Sequence, residues 1–422
     1  LRALCVVLAI LIFLAVPAVL SPALEPKYLT QSKEGSLTEE YYASVAETDH
    51  DVLFVGDCEI FESFVPAILW EEYGISSYLR GGAQQLVWHS YYMLEDALRY
   101  ETPKAVVFNV YALKYGEPQK EAYNRMALDG MEWSPVKAEA IKASMTEEEH
   151  FIDYVFPFLR YHSRWSELTA EDFTYAWQDK PLVSDSGYLM QTGVVPADTQ
   201  AEVTPEPLFD PNLPATAMAY LDKMRALCAE KGVELILVKA PTNFWRYHWY
   251  DEWDGQITDY AETHGLAYYN LIPKSAEMGL DMSTDTYDGG AHLNVYGAEK
   301  LTRYFGEILR DRHELPDRRE DGAAATVWAR RVEAYRDRKA AMEADIKRAQ
   351  TVADAVIVAM HWGIERDYYP SSDQIFMAHA AIDAGADIVA GHHPHVLQPI
   401  EEYNGGIIYY SLGNFAFGGN SS

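Results

Sequence analysis

Basic residues are scarce in this chain. Thirty-four Lys and Arg stand against 64 Asp and Glu, a formal net charge of −30 over 422 residues. Nucleic acid and anionic membrane surfaces both require clustered cations, so neither is an expected partner. Cysteine is scarcer still, at three, which excludes a disulfide framework. Cys5 lies in an N-terminal apolar run. Cys228 follows Met218, Leu221 and Met224 at three- and four-residue spacing, on the buried face of a helix, where a thiol serves as a small hydrophobe. Only Cys58 stands where packing does not account for it. Aromatics are plentiful, with ten Trp and thirty Tyr; those left at the surface suit the faces of sugars, so a carbohydrate ligand stays open.

Residues 3–24 hold no charged side chain. A run of ~20 apolar residues is long enough to cross a bilayer, whereas the core of a signal peptide is usually ~7–15. The expectation is a transmembrane anchor over 1–24, a polar spacer over 25–50, and a single-pass membrane protein with its bulk outside the cytoplasm.

Beyond the spacer, strands and helices alternate. Strand-like runs occur at 51–56, 104–109, 233–239 and 266–271, and helical patterns at 85–99, 214–231, 254–264 and 296–312. Such alternation predicts an α/β fold, a mostly parallel sheet covered by helices on both faces. Residues 120–210, rich in aromatics, acids and Pro, interrupt the rhythm as an insertion suited to a lid or substrate wall. Residues 316–350 carry alternating charges with Ala and one Trp, a solvated helix with one packing face. A second α/β passage starts at 351.

The first strand ends on Gly56-Asp57-Cys58. A nucleophile at the carboxyl end of a strand is exposed by the tight turn, and backbone N–H groups at the following helix start can hold an anion. It also needs a base, and the base an orienting acid. DTYDGGAHLNVYGAEKLT at 285–302 supplies both, with Asp288 and His292 flanking a glycine-rich loop before a helix.

On these residues, 50–313 resembles the SGNH/GDSL hydrolases of the membrane-anchored, cell-envelope kind, related to the acyl-transfer proteins of teichoic-acid D-alanylation. That family has Gly-Asp-Ser where this chain has Gly56-Asp57-Cys58. The resemblance implies a three-layer, flavodoxin-like sandwich over 51–315. It further implies a Cys58–His292–Asp288 triad, with oxyanion support from Gly81 or Gly82 in YLRGGAQQ, from Asn109 in VVFNVYALKY, and from the Cys58 amide. The acid and histidine stand one residue further apart than in the family pattern, so Asp285 competes with Asp288. Asn109 stands two positions before the family's asparagine. Asp57 either caps the next helix or bonds into the site. No cofactor is implied; the expected partner is an acylated cell-envelope polysaccharide, and the expected reaction is ester hydrolysis or O-acyl transfer through a thioester. A nearby imidazole is expected to lower the Cys58 pKa into the range of ~4–7.

Residues 344–422 resemble the C-terminal part of the CapA-type capsule-synthesis proteins, a branch of the calcineurin-like metallophosphoesterases, through HWGIE, AIDAGADIVAGHHPHVLQPIE and YSLGNF. By that match His361, His393 and His395 are metal ligands. The family's N-terminal half, with its aspartate and asparagine ligands, has no counterpart here, so the resemblance implies a partial module whose divalent-metal site is incomplete. Two readings therefore compete with an acyl hydrolase or transferase. One is a capsule or poly-γ-glutamate biosynthesis protein with a metallophosphoesterase-like domain. The other is a non-catalytic glycan-binding homologue in which cysteine for serine marks lost activity.

Overall fold

The computed structural model describes residues 35–352 apart from 167, 177–181, 198–209 and 243–249, together with 21, 23 and 24, and residues 357–413 apart from 363–367, 371, 384–385, 393 and 395. After helix α1 (Ser36–Glu47) come β1 (Val52–Gly56), α2 (Cys58–Phe61), α3 (Pro66–Tyr73), β2 (Ser77–Gly81), α4 (Val87–Ala97) and β3 (Ala105–Asn109). Short helices, among them Glu121–Leu128 and Pro135–Ser144, fill the region expected to interrupt the alternation. The alternation then resumes with α5 (Ala215–Lys231), β4 (Glu234–Lys239), α6 (Tyr250–His264), β5 (Ala267–Asn270) and α7 (Val295–Arg312).

These strands form one sheet, ordered β2-β1-β3-β4-β5 with every pairing parallel. A central parallel strand is buried on both faces, which is why VLFV at 52–55 is uniformly apolar. Val52 and Phe54 face a core built with Leu69, Leu301 and Phe305, while Leu53 and Val55 face one built with Leu94, Leu221 and Ile257. Cys228 is buried in the second of these cores, as its spacing predicts. The sheet places the carboxyl ends of β1, β2 and β3 side by side: Gly56 pairs with Gly81, and Val55 with Phe108, the neighbour of Asn109. β2, reading SYLRG, was not among the expected strands, because Ser77 and Arg80 break its apolar run. Both are buried all the same, and the Arg80 guanidinium donates to the Met93 carbonyl at 2.7 Å and lies 3.4 Å from Asp96.

The charged segment expected as a solvated helix is α8 (Gly322–Val352). Its packing face is Ala324, Trp328, Val332 and Tyr335, at helical spacing, and the Trp328 ring stacks on Trp70 of α3 with centroids 5.5 Å apart. The second passage forms a separate sheet of β6 (Ile357–His361), β7 (Ile388–His392), β8 (Ile400–Tyr403) and β9 (Gly406–Tyr409), ordered β6-β7-β9-β8, with α9 (Ser372–Asp383) between its first two strands. Only the β8–β9 hairpin is antiparallel.

One expectation requires correction. No helix among the described residues is long and apolar enough to cross a membrane, which contradicts the single-pass membrane placement drawn from 3–24. Most of that run lies outside the described residues. Where it can be followed, it packs against protein: Ala23 and Leu24 are buried, and the Arg164 guanidinium donates to the Leu24 carbonyl.

Trp328 fills the contact between α8 and the sheet domain, so Trp328→Ala should leave a cavity there and cost about 3–5 kcal/mol. Chemical denaturation of wild type and variant measures this directly. A loss below about 1 kcal/mol would mean that α8 adds little to the stability of the domain.

Candidate functional site

β1 runs into α2 through Gly56, whose φ is +154°. A Cβ at this position would lie 2.7 Å from Ile60 Cγ1 and 3.0 Å from Asn109 Cβ, so the turn closes only around glycine. Asp57 then caps α2, its Oδ1 accepting from the Glu59 N–H at 3.2 Å. Cys58 is the first helical residue and is partly exposed.

The base and acid arrive on the loop before α7. Gly289 and Gly290 both take positive φ, which lets the chain fold Asp288 back onto His292. Asp288 Oδ1 accepts from the His292 N–H at 2.8 Å, and Oδ2 lies 2.5 Å from Nδ1. His292 Nε2 is 2.8 Å from Cys58 Sγ. Asn294 anchors the loop as the cap of α7, its Oδ1 accepting from Tyr296 and Gly297 while its Nδ2 donates to the Gly193 and Thr284 carbonyls. The insertion is tied to the same loop, since the Val195 N–H donates to the Thr286 carbonyl at 2.9 Å.

Cys58, His292 and Asp288 thus form a continuous line. Asp285 does not enter it: its carboxylate is buried on the far side of the loop, accepting from Lys300 Nζ at 2.6 Å and from the Asp281 N–H at 2.7 Å. Two assignments made by resemblance need correction. Asn109 is fully buried and both of its amide hydrogens are engaged, donating to Asp57 Oδ1 and Glu59 Oε2 at 2.9 Å each. It braces the turn and has no hydrogen left for an oxyanion. The Gly82 N–H donates to the Gly56 carbonyl at 3.3 Å, which closes the strand ends together and takes this amide away from the same role. Gly81 is the last residue of β2, paired with Gly56 inside the ladder. Asp57 takes the first of its two expected roles, helix cap, and its Oδ1 also accepts from Asn109 behind the turn.

Behind the nucleophile lies a buried charge network that the sequence reading missed. Lys239, the last residue of β4, donates to both Glu59 oxygens at 2.7 and 2.8 Å, and Glu59 in turn accepts from Asn109. Burial, with the neighbouring Glu59 charge, pushes the Asp57 carboxyl up to about 7, although Asn109 and Lys239 oppose the shift. A lysine ending the apolar run VELILV was the available signal. Glu62 was also missed. It follows Cys58 by four residues, one helical turn, and caps the C-terminal end of α2.

Burial also pushes the Cys58 thiol up, to about 11, against the pull of the His292 charge, while Asp57 and Glu62 add to the rise. This reverses the expected lowering, because partial burial and the flanking carboxyls together outweigh the His292 charge. For His292, burial opposes the charged ring, but a thiolate at Cys58, the Asp288 hydrogen bond and Glu62 raise its pKa well above the usual 6.5. The largest of those upward pushes exists only once the thiol has ionised. The direction of the Cys58 shift favours a thiol that keeps its proton at neutral pH.

Of the three histidines expected as metal ligands, His361 ends β6, in register with His392 of β7. His393 and His395 lie outside the described residues. Among the described residues no group of three or more His, Cys, Asp or Glu could hold a metal ion.

Comparison with known proteins divides along the chain. Residues 288–419 match the family described as bacterial capsule synthesis protein PGA_cap, a span that begins at Asp288. The chain is similar to the PGA biosynthesis protein CapA of Bacillus subtilis, 58% identical over 72 residues, which are 17% of this chain and 19% of that protein. It is also similar to the capsule biosynthesis protein CapA of Bacillus anthracis, 60% identical over 65 residues, 15% of this chain and 16% of that protein. The chain therefore spans less than a fifth of the length of these curated relatives. Among solved structures, a GDSL-like lipase from Bacteroides thetaiotaomicron aligns over 66% of this chain and all of its own, at 12% identity and a TM-score of 0.32. A likeness that faint carries no weight beside the side-chain geometry.

With its thiol held neutral up to about 11, Cys58 should react with iodoacetamide at pH 7 roughly a hundredfold more slowly than a free cysteine. Its rate should climb tenfold per pH unit without a plateau between pH 4 and 7. A plateau in that window, by mass-spectrometric adduct counting, would mean that a resting thiolate–imidazolium pair exists after all.

Proposed function

We propose that this chain serves bacterial capsule synthesis, and that its own chemistry is cleavage or transfer of an acyl group through Cys58. Similarity of the C-terminal part to capsule-synthesis proteins supports the first half. The second rests on one observation, the unbroken line from Cys58 Sγ to His292 Nε2 at 2.8 Å and from His292 Nδ1 to Asp288 at 2.5 Å. A neutral thiol on an imidazole that is held in one tautomer by a carboxylate is the arrangement acyl transfer requires.

The reaction proceeds in two halves. Sulfur attacks the ester carbonyl as His292 Nε2 takes the thiol proton, and the carbonyl electron pair moves onto oxygen. The Cys58 N–H, at the start of α2 and so without an intrahelical acceptor, is the backbone donor we assign to this oxygen. Collapse of the adduct expels the alkoxide, which receives the proton from His292 and leaves a thioester on Cys58. Water or a hydroxyl of the acceptor then attacks the thioester, with His292 again acting as base, and the thiol is restored. A thioester is more reactive than an oxygen ester, which favours transfer to a hydroxyl of the capsule polymer over simple storage of the acyl group. Metal chemistry in the C-terminal part remains a separate reading, supported by the capsule-protein similarity and by His361 at a strand end. No step above depends on it.

Turnover of p-nitrophenyl acetate, with intact-mass detection of an acetyl group on Cys58, tests this reading. Cys58→Ala should abolish turnover and adduct, and His292→Ala should slow the reaction by ~10²–10⁴-fold. Cys58→Ser should keep measurable hydrolysis, because a base that already deprotonates a neutral thiol in the transition state can do the same for a hydroxyl. Equal rates in wild type and Cys58→Ala, with no adduct, would replace the acyl-transfer half by glycan binding.

A further inference from the structure

We infer that Glu62 is a second carboxylate partner of His292, a positioning residue that steadies the imidazolium formed when Cys58 gives up its proton. The inference deepens the acyl-transfer reading and rests on it for its role in the reaction. The contact itself is a matter of geometry.

Glu62 closes the turn that begins at the nucleophile, its N–H donating to the Cys58 carbonyl at 3.1 Å. Its side chain is nearly fully buried and points into the site. Oε1 accepts from the Tyr287 hydroxyl at 2.9 Å, and the Tyr287 ring lies stacked beside the His292 ring, centroids 6.1 Å apart. Oε2 is buried, has no hydrogen-bond donor among the described residues, and lies 3.9 Å from His292 Nδ1. A buried carboxylate oxygen without a donor is costly and calls for a reason. A ring that turns cationic at this distance supplies one.

The need arises from burial, which is the largest influence on His292 and opposes its charge. Asp288 already uses one oxygen on Nδ1 and the other on the His292 backbone, so it can align the ring but cannot gather closer around the charge. Glu62 adds a second negative charge on the same edge of the ring without competing for that hydrogen bond. The titratable groups facing Glu62 are Asp57 and Cys58 from its own turn, and Tyr287, Asp288 and His292 from the loop before α7. Tyr188 faces it from within the insertion. Burial holds the Glu62 carboxyl up at about 7, while the His292 charge and the Tyr287 hydroxyl favour its ionised form. Each group favours the charged form of the other, so the two titrate as a coupled pair.

The test reads His292 itself. In a Cys58→Ala background, which removes the thiolate contribution, the His292 ring is titrated by NMR with and without Glu62→Gln, a substitution of equal size that can still accept from Tyr287. Loss of the charge should lower the His292 pKa by about one unit or more. Tyr287→Phe removes the hydroxyl that favours the ionised carboxyl, and should shift it in the same direction by less. With Cys58 intact, Glu62→Gln should move the acid limb of the pH–rate profile down and lower its plateau, whereas a merely structural residue would lower the plateau alone. An unchanged His292 titration in both variants overturns the inference. Because the titration needs no turnover, a shifted His292 in a protein that cleaves no acyl ester would sink the acyl-transfer reading and leave the Glu62–His292 pairing standing.

Discussion

The site depends on how closely β1 ends against β3. At Gly56 the backbone approaches Asn109 and Ile60 so nearly that no side chain fits, and the Gly82 N–H closes the same corner from β2. Parallel pairing makes this contact consequential, because three strands deliver their carboxyl ends to one edge and only a sharp turn can then lift a side chain out of the sheet. Cys58 is accessible because Gly56 is not filled. The loop that brings His292 to it is fixed from the other direction, through Asn294 at the cap of α7 and Lys300 on Asp285.

The same closeness has an electrostatic consequence. Asp57, Glu59, Asn109 and Lys239 are buried together directly behind the nucleophile, and their hydrogen bonds are spent on one another. Such a network is costly to bury and costly to break, since removing any member leaves another unpaired. It fixes the turn, but it leaves Asn109 with nothing to offer a substrate. Rigidity at the base of α2 and a side-chain donor for the oxyanion are alternatives here, and the sequence has taken the first.

Much of this was legible before any coordinates. β1, β3 and β4 stand out as apolar runs because central parallel strands need no polar face, and the DGGAHLN loop stands out because two glycines between an acid and a histidine make sense only as a fold-back. Choosing Asp288 over Asp285 was beyond spacing alone, since both lie within reach of His292 along the chain; Lys300, a turn into α7, decides it by drawing Asp285 away. β2 escaped notice because Ser77 and Arg80 are buried in it despite their polarity, one Arg80 nitrogen reaching the Met93 carbonyl and Asp96 on α4. The direction of the thiol shift was misjudged for a related reason. A neighbouring histidine is visible in a motif, whereas the burial that outweighs it is a property of the whole fold.

That outcome bears on why cysteine can stand where the resembled family has serine. A thiol is ordinarily favoured where surroundings stabilise a thiolate, through cations or a helix start with few acids nearby. Here Asp57 and Glu62 flank the sulfur and the site partly desolvates it, and each of these pushes the thiol toward its neutral form. Asp288 and Glu62 act together on the histidine and favour its charged form. The electrostatics are thus arranged for a base that becomes positive during the reaction and for a nucleophile that rests uncharged, which are the demands of a hydroxyl. Sulfur in this setting changes the intermediate more than the activation step. In the proposed acyl transfer it would give a thioester in place of an oxygen ester, and with it a more reactive donor, while proton removal would follow the course of a serine site.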